Sequence, residues 1–241
     1  MENSKLIALV SGGNRGIGEA VTIALARQGV HVLMGCRDVA LGEAAAAPMR
    51  AEGLSVQPVQ LDTTNDASVA GLAALIERDF GHLDILVNNA GVGLDYDPTL
   101  TVLEKLERTL EVNVVGTVRV TEAMIPMLSA SKAPRIVNVS SELASFGLHF
   151  TPDWEHSDKK MPTYKASKAA LNSLTLSYAD QLQDKGIKVN AICPGYTATA
   201  ATNFGPSRTP AEAAVIVVRM ALLDNDGPTA SFYNDVCELP W

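Results

Sequence analysis

In the segment PTYKASKAAL, Tyr164 and Lys168 stand four residues apart within a run of small residues that reads as helix. Residues four apart share a helix face while neighbours point about 100° apart, so the phenol meets Lys168 rather than Lys165. Pro162 near a first turn, followed by two solvated lysines, would equally describe an ordinary helix start.

A second chemical signal is SGGNRGIG, residues 11–18, directly ahead of the helical EAVTIALARQG. Its Gly12, Gly16 and Gly18 permit a tight strand-to-helix turn and let backbone reach a pyrophosphate, while the helix N-terminus faces the phosphates. A dinucleotide suits this turn, with Asn14, Arg15 and Ile17 also in contact, although the spacing differs from G-x-G-x-x-G. In a doubly wound NAD site an acid ends the second strand and binds the adenosine ribose. Here the strand ends VLMGCRD, and Cys36 cannot play that part. Arg37 offers a charged fork suited to a 2′-phosphate, and Arg15 a second charge; Asp38 is the competing ribose acceptor, and Arg37 also reads as a solvated loop residue. Asp62, followed by Thr63 and Thr64, could accept from an adenine amino group or cap a helix. Asn89, Ala90 and Gly91 in NNAG fit a turn packed beside the cofactor, or simple turn chemistry.

These residues need a scaffold. Short β-rich runs at 5–11, 30–36, 55–61, 83–88, 134–140 and 187–193 alternate with segments long enough for crossover helices. Near-continuous apolar strands in that order predict an α/β fold, a Rossmann-type doubly wound parallel sheet with helices on both faces. A seventh strand is expected near 229–233. Nothing marks a linker, so residues 1–241 read as one domain, and Pro48 is expected to break or kink the second helix. Ligands bind at the carboxyl ends of such strands, where the polar signals fall.

Composition narrows the partners. A chain of 241 residues, 47% hydrophobic, can bury a substantial core. A net charge of −8 opposes the basic footprint that nucleic acid or an anionic membrane requires. The apolar run at 213–223 is too short to span a bilayer and contains Arg219. MENSKLIALVSGG reads as a first strand rather than a leader. Cys36, Cys193 and Cys237 lack zinc or disulfide spacing, which suits a reducing cytoplasm. Cys193 has no neighbouring His and reads as a packed thiol.

Taken in order, SGGNRGIG, NNAG, LEVNVVGT, VNVSS, YKASK and CPGYTAT resemble the short-chain dehydrogenase/reductase family over nearly the whole chain. The GCRD segment and the C-terminal PAEAAVIVVRMALLDNDGPTASFYNDVCELPW are similar to its carbonyl reductase branch. The resemblance implies a constellation of Asn113, Ser141, Tyr164 and Lys168, with Ser140 the local competitor of Ser141. It implies that Tyr164 protonates a carbonyl oxygen as hydride arrives from NADPH, while Ser141 hydrogen-bonds that oxygen. Lys168 would lower the phenol pKa and hold the nicotinamide ribose, and Asn113 would interrupt a helix and position a water. The CPGYTAT segment, with Pro194, Gly195, Thr197 and Thr199, would close over the nicotinamide, the Ile192 backbone and Thr199 contacting its carboxamide. The implied cofactor is NADPH/NADP+ in preference to NADH, and the implied substrate a ketone or aldehyde.

The stretch 148–161 is longer than the family's usual form and reads as an insertion beside the active site. Its His149, Asp153, His156, Glu155 and Asp158 read as a solvated loop rather than a metal site. Only a short segment separates Thr199 from the helix near Thr209, so a full substrate lid is missing. Family members commonly pair through the helix carrying Tyr164 and the helix before the fifth strand, which implies a homo-oligomer. Two other functions fit parts of the sequence. A noncatalytic NADP(H) sensor leaves Ser141, Tyr164 and Lys168 without a purpose, and a methyltransferase leaves the tyrosine and lysine unexplained.

Overall fold

The computed structural model describes residues 5–151 and 154–241. Seven parallel strands form one sheet: β1 (Ile7–Ser11), β2 (His31–Cys36), β3 (Val56–Gln60), β4 (Ile85–Asn88), β5 (Arg135–Val139), β6 (Lys188–Ile192) and β7 (Phe232–Tyr233). Their spatial order is β3-β2-β1-β4-β5-β6-β7, so the chain reverses its winding between β1 and β4. In sheets of this kind ligands bind in the crevice outside the carboxyl ends of the strands at such a reversal. All seven expected strands form, each within two or three residues of its expected bounds.

Period-two alternation explains why both faces are covered. In β1, Ala8 and Val10 join one buried cluster with Val21, Leu25, Ile216 and Met220, while Ile7 and Leu9 join a second with Ile76, Met124, Leu128 and Tyr178. The first cluster is covered by α1 (Gly16–Arg27), α2 (Val39–Ala51) and α8 (Pro210–Ala221). The second is covered by α3 (Asp66–Asp79), α5 (Gly116–Ser129) and α7 (Pro162–Gln181). Two shorter helices, α4 (Val102–Leu110) and α6 (Phe146–His149), sit at the crevice end of the sheet's connections.

The expected break at Pro48 does not occur. α2 runs through it to Ala51, and the Pro48 carbonyl accepts from Glu52 N–H at 3.2 Å. Pro48 lies in the last turn, where a ring clash disturbs only the end of the ladder.

Candidate active site

The glycine turn is shaped by close approach. Gly12 holds φ at +64°, a left-handed conformation that other L-residues adopt at a cost. A Cβ at Gly18 would stand 2.2 Å from the Gly12 carbonyl oxygen, so only glycine lets α1 start so near the strand. Asn89 braces the same turn, its Nδ2 donating to the carbonyls of Ser11 (2.8 Å) and Gly12 (3.3 Å). The Asn89 side chain thus ties the NNAG turn to the glycine turn, and Ala90 N–H adds a bond to Ser11 Oγ at 3.0 Å.

Whether this region suits an anion can be judged from its donors. α1 begins after Arg15 with no side-chain cap, so its first N–H groups face the crevice unserved by protein side chains. A pyrophosphate fits such a terminus. Gly18→Ala is expected to weaken NADPH binding at least about tenfold in a fluorescence titration, because the added carbon collides with rigid backbone. Unaltered affinity would show that the turn does not hold the cofactor.

A cleft of about 530 Å³ lies between β3 and α3, lined by Arg37, Gln60, Asp62, Asn65 and Ser68 together with apolar residues of both elements and by no residue of the glycine turn. Arg37 is exposed there. Asp62 titrates below the usual carboxylate range, first because Thr64 N–H donates to it, with Arg37 and Arg119 assisting. Asp62 does not cap α3: its Oδ1 accepts from Thr64 N–H and Oγ1, while Asn65 serves as the cap. Asp38, the rival ribose acceptor, caps α2 through bonds from Ala40 N–H (2.9 Å) and Leu41 N–H (3.2 Å). Cys36 is buried, with its thiol 3.7 Å from the Val59 carbonyl oxygen.

The catalytic candidates converge on the reversal of the sheet. Ser140 is only 1% exposed and donates to Asn172 Oδ1 at 2.6 Å, a structural use. Ser141, half-buried, accepts from Leu143 N–H at 3.2 Å, and its hydroxyl acts to lower the pKa of the Tyr164 phenol. Lys168 lies at the expected place beneath Tyr164, its Nζ 5.7 Å from the ring centroid. That ammonium, 4% exposed, donates to the Val139 carbonyl at 2.7 Å.

Burial governs both ionisations. It pushes the phenol of Tyr164 well above its ordinary range, with the Ser141 hydroxyl acting in the opposite direction, and it brings Lys168 down to about 8. Desolvation opposes the charged form of both groups. A neutral phenol is the form that can donate a proton.

Asn113 does interrupt a helix. The turn Glu111–Val115 between α4 and α5 is π-helical, and such turns arise where an extra residue is accommodated. The Asn113 amide brackets Val92, accepting from its N–H and donating to its carbonyl, both at 2.8 Å, and also donates to Ser167 Oγ at 2.9 Å. Ser167 in turn donates to the Tyr164 carbonyl at 2.7 Å. A Cβ on Gly91 would lie 3.3 Å from Asn113 Oδ1 and 3.5 Å from Lys168 Nζ, so this glycine fills the narrow space between them.

A family model described as short chain dehydrogenase matches residues 6–208. The chain belongs to the short-chain dehydrogenase family. It is similar to NADPH carbonyl reductase 1 of Mus musculus, 31% identical over 279 aligned residues with 100% of each chain covered. Among solved structures it is similar to salutaridine reductase from Papaver somniferum, with a TM-score of 0.82 and 30% identity over 96% of this chain and 100% of that one. RhlG of Pseudomonas aeruginosa, solved as an active-site complex with NADP, gives a TM-score of 0.83 at 25% identity, covering 95% and 94%. As a short-chain dehydrogenase this chain is an oxidoreductase, and the family uses nicotinamide cofactors.

The segment after β6 is braced rather than loose. Arg208 Nε donates to the Pro194 carbonyl at 2.8 Å and Thr197 Oγ1 to the Gly195 carbonyl at 2.9 Å. Thr199 precedes the short turn Ala200–Thr202 and comes within reach of Gly16, whose Cβ would meet its Cγ2 at 3.3 Å. The Ile192 carbonyl accepts from Ser140 N–H at 2.7 Å, which ties the end of β6 to the start of the Ser141 segment. Cys193 is a buried thiol pushed up to about 12 by burial, inert as a nucleophile.

Residues 152 and 153 of the 148–161 stretch, including Asp153, lie outside the described residues. Lys159 Nζ stands 5.4 Å over the Tyr196 ring, which joins the stretch to the segment after β6. Glu142, Glu155 and His156 bring ligand-type atoms within 4.8 Å of one another. Glu142 is engaged by Asn234 Nδ2 at 2.9 Å, and the Glu155 side chain is 78% exposed. Among the described residues no helix is long and apolar enough to cross a membrane.

Proposed function

We propose that this short-chain dehydrogenase is an NADPH-dependent carbonyl reductase acting on a ketone or aldehyde, with Tyr164 as general acid. The observation that carries this reading is the convergence of the Ser141 hydroxyl, the Tyr164 phenol and the Lys168 ammonium at the sheet reversal. NADPH carbonyl reductase 1 of Mus musculus supports the substrate class and the cofactor, and RhlG, solved with NADP, supports the cofactor.

When bound, the cofactor supplies the hydride. The uncapped start of α1 and Gly12 would hold its pyrophosphate, Arg37 and Asp62 its adenosine end, and Lys168 its nicotinamide ribose. Ser141 and Tyr164 bind the substrate oxygen together. As negative charge develops on that oxygen, Tyr164 donates its proton and Ser141 stabilises what remains. Lys168, with Asn113 beyond Gly91, lies on the route by which the phenol regains a proton. In the alcohol-oxidising direction each transfer reverses.

A screen of diverse ketones, aldehydes and quinones, read as NADPH oxidation, tests the proposal. Turnover of at least one class, abolished in Tyr164→Phe, is the expected result. Tight NADPH binding without turnover over the whole panel would replace the enzyme with a cofactor-binding sensor.

A further inference from the structure

Most helices here are capped by the residue that precedes them. Asp38 caps α2, Asn65 caps α3, and Thr101 and Thr209 form capping boxes with Glu104 and Glu212 at α4 and α8. α7, which carries Tyr164 and Lys168, has no local cap: Met161 precedes it and its first turn holds no acid. Pro162 brings no N–H, so the donors that an N-cap would serve belong to Thr163 and Tyr164. Both are taken by Asp95, from the loop after β4: Thr163 N–H donates to Oδ1 at 2.9 Å and Tyr164 N–H to Oδ2 at 3.0 Å.

That loop is itself fixed at two points. Asn113 brackets Val92, and the Asp95 carbonyl accepts from Lys105 Nζ at 2.9 Å. Between them Gly93 passes along the phenol ring, where a Cβ would stand 3.4 Å from Tyr164 Cδ2. The loop begins at Gly91, between Asn113 and Lys168.

We infer that Asp95 is a positioning residue for the general acid: it caps the catalytic helix from a distance and sets Tyr164 against the loop that borders the reacting oxygen. This rests on the carbonyl reductase reading. A carboxylate at N2 and N3 also complements the positive end of the helix. Because both oxygens are used, an amide cannot replace the pair. An Asn at this position presents one acceptor and one donor, and the donor opposes an N–H.

The test uses the full chain. Asp95→Ala is expected to lower kcat about tenfold with the KM for NADPH within about twofold of wild type, since the phosphate contacts are remote. Asp95→Asn should fall between the two. Amide exchange should quicken at Thr163, Tyr164 and Lys165 and stay unchanged in the strands. Asp97→Ala, which removes a neighbouring loop acid bonded only to Thr99, should leave kcat unchanged.

Wild-type kcat in Asp95→Ala, or an equal loss in Asp97→Ala, would overturn the inference, even if the melting temperature falls. Should Asp95→Ala fail to fold, Asp95→Asn decides alone, and wild-type turnover there overturns it. The two failures separate: a wild type inert toward every carbonyl compound sinks the functional reading, and amide exchange then decides whether Asp95 holds the turn of Tyr164.

Discussion

Tyr164→Phe is expected to lower turnover at least about a hundredfold while leaving NADPH affinity within about twofold of wild type. The change removes one oxygen. The ring remains packed against Gly93, and α7 keeps its cap because Asp95 bonds backbone N–H groups rather than the phenol. General acid catalysis contributes about a hundredfold to ten-thousandfold, and burial keeps this phenol neutral, so wild type holds the proton that the variant lacks. Ser141 alone can hydrogen-bond the substrate oxygen, but its alcohol is a far weaker acid than a phenol. Lys168→Ala should differ, harming cofactor affinity as well as turnover, since it also removes the proposed ribose contact. Single-turnover rates and fluorescence titrations separate the two effects. A folded Tyr164→Phe protein with substantial activity would remove Tyr164 from the chemistry.

The sheet was readable because each strand is apolar on both faces and is followed by a polar turn. Ala8, Leu9 and Val10 pack into two different clusters, so no other arrangement buries the run. Tyr164 and Lys168 were readable from helix periodicity, and the choice of Ser141 over Ser140 from the family pattern; burial explains that choice, with Ser140 spent on Asn172. What local sequence could not show was anything bonded across distance. Asp95 lies in an ordinary loop, and its role depends on the absence of a cap at Met161, far along the chain. Asn89 and Ile192 stand where the family pattern expects cofactor contacts, and the Asn89 amide nitrogen and the Ile192 carbonyl also bond to Ser11, Gly12 and Ser140. A neighbouring ammonium is visible in sequence, whereas the desolvation that raises the Tyr164 phenol belongs to the packed fold.

Cofactor choice rests on the end of β2. Arg37→Ala is expected to weaken NADPH about tenfold to a hundredfold while changing NADH little. A 2′-phosphate carries nearly two negative charges, and one bidentate arginine contact contributes about 1.5 to 3 kcal/mol of discrimination. Arg37 is free to make it, being exposed beside the cleft that Asp62 also lines. The rival arrangement needs a carboxylate turned to the ribose, and Asp38 is engaged in capping α2 through two backbone donors. Turning it away would expose those donors and cost helix stability of roughly 1 kcal/mol. Introducing an acid at Cys36 is a poorer probe, because the thiol is buried toward Val59 and a carboxylate there would be charged without water or a partner. Measuring kcat/KM with both cofactors on wild type and Arg37→Ala decides the matter: a wild type that prefers NADH, or equal losses with the two cofactors, would exclude Arg37 as the phosphate contact.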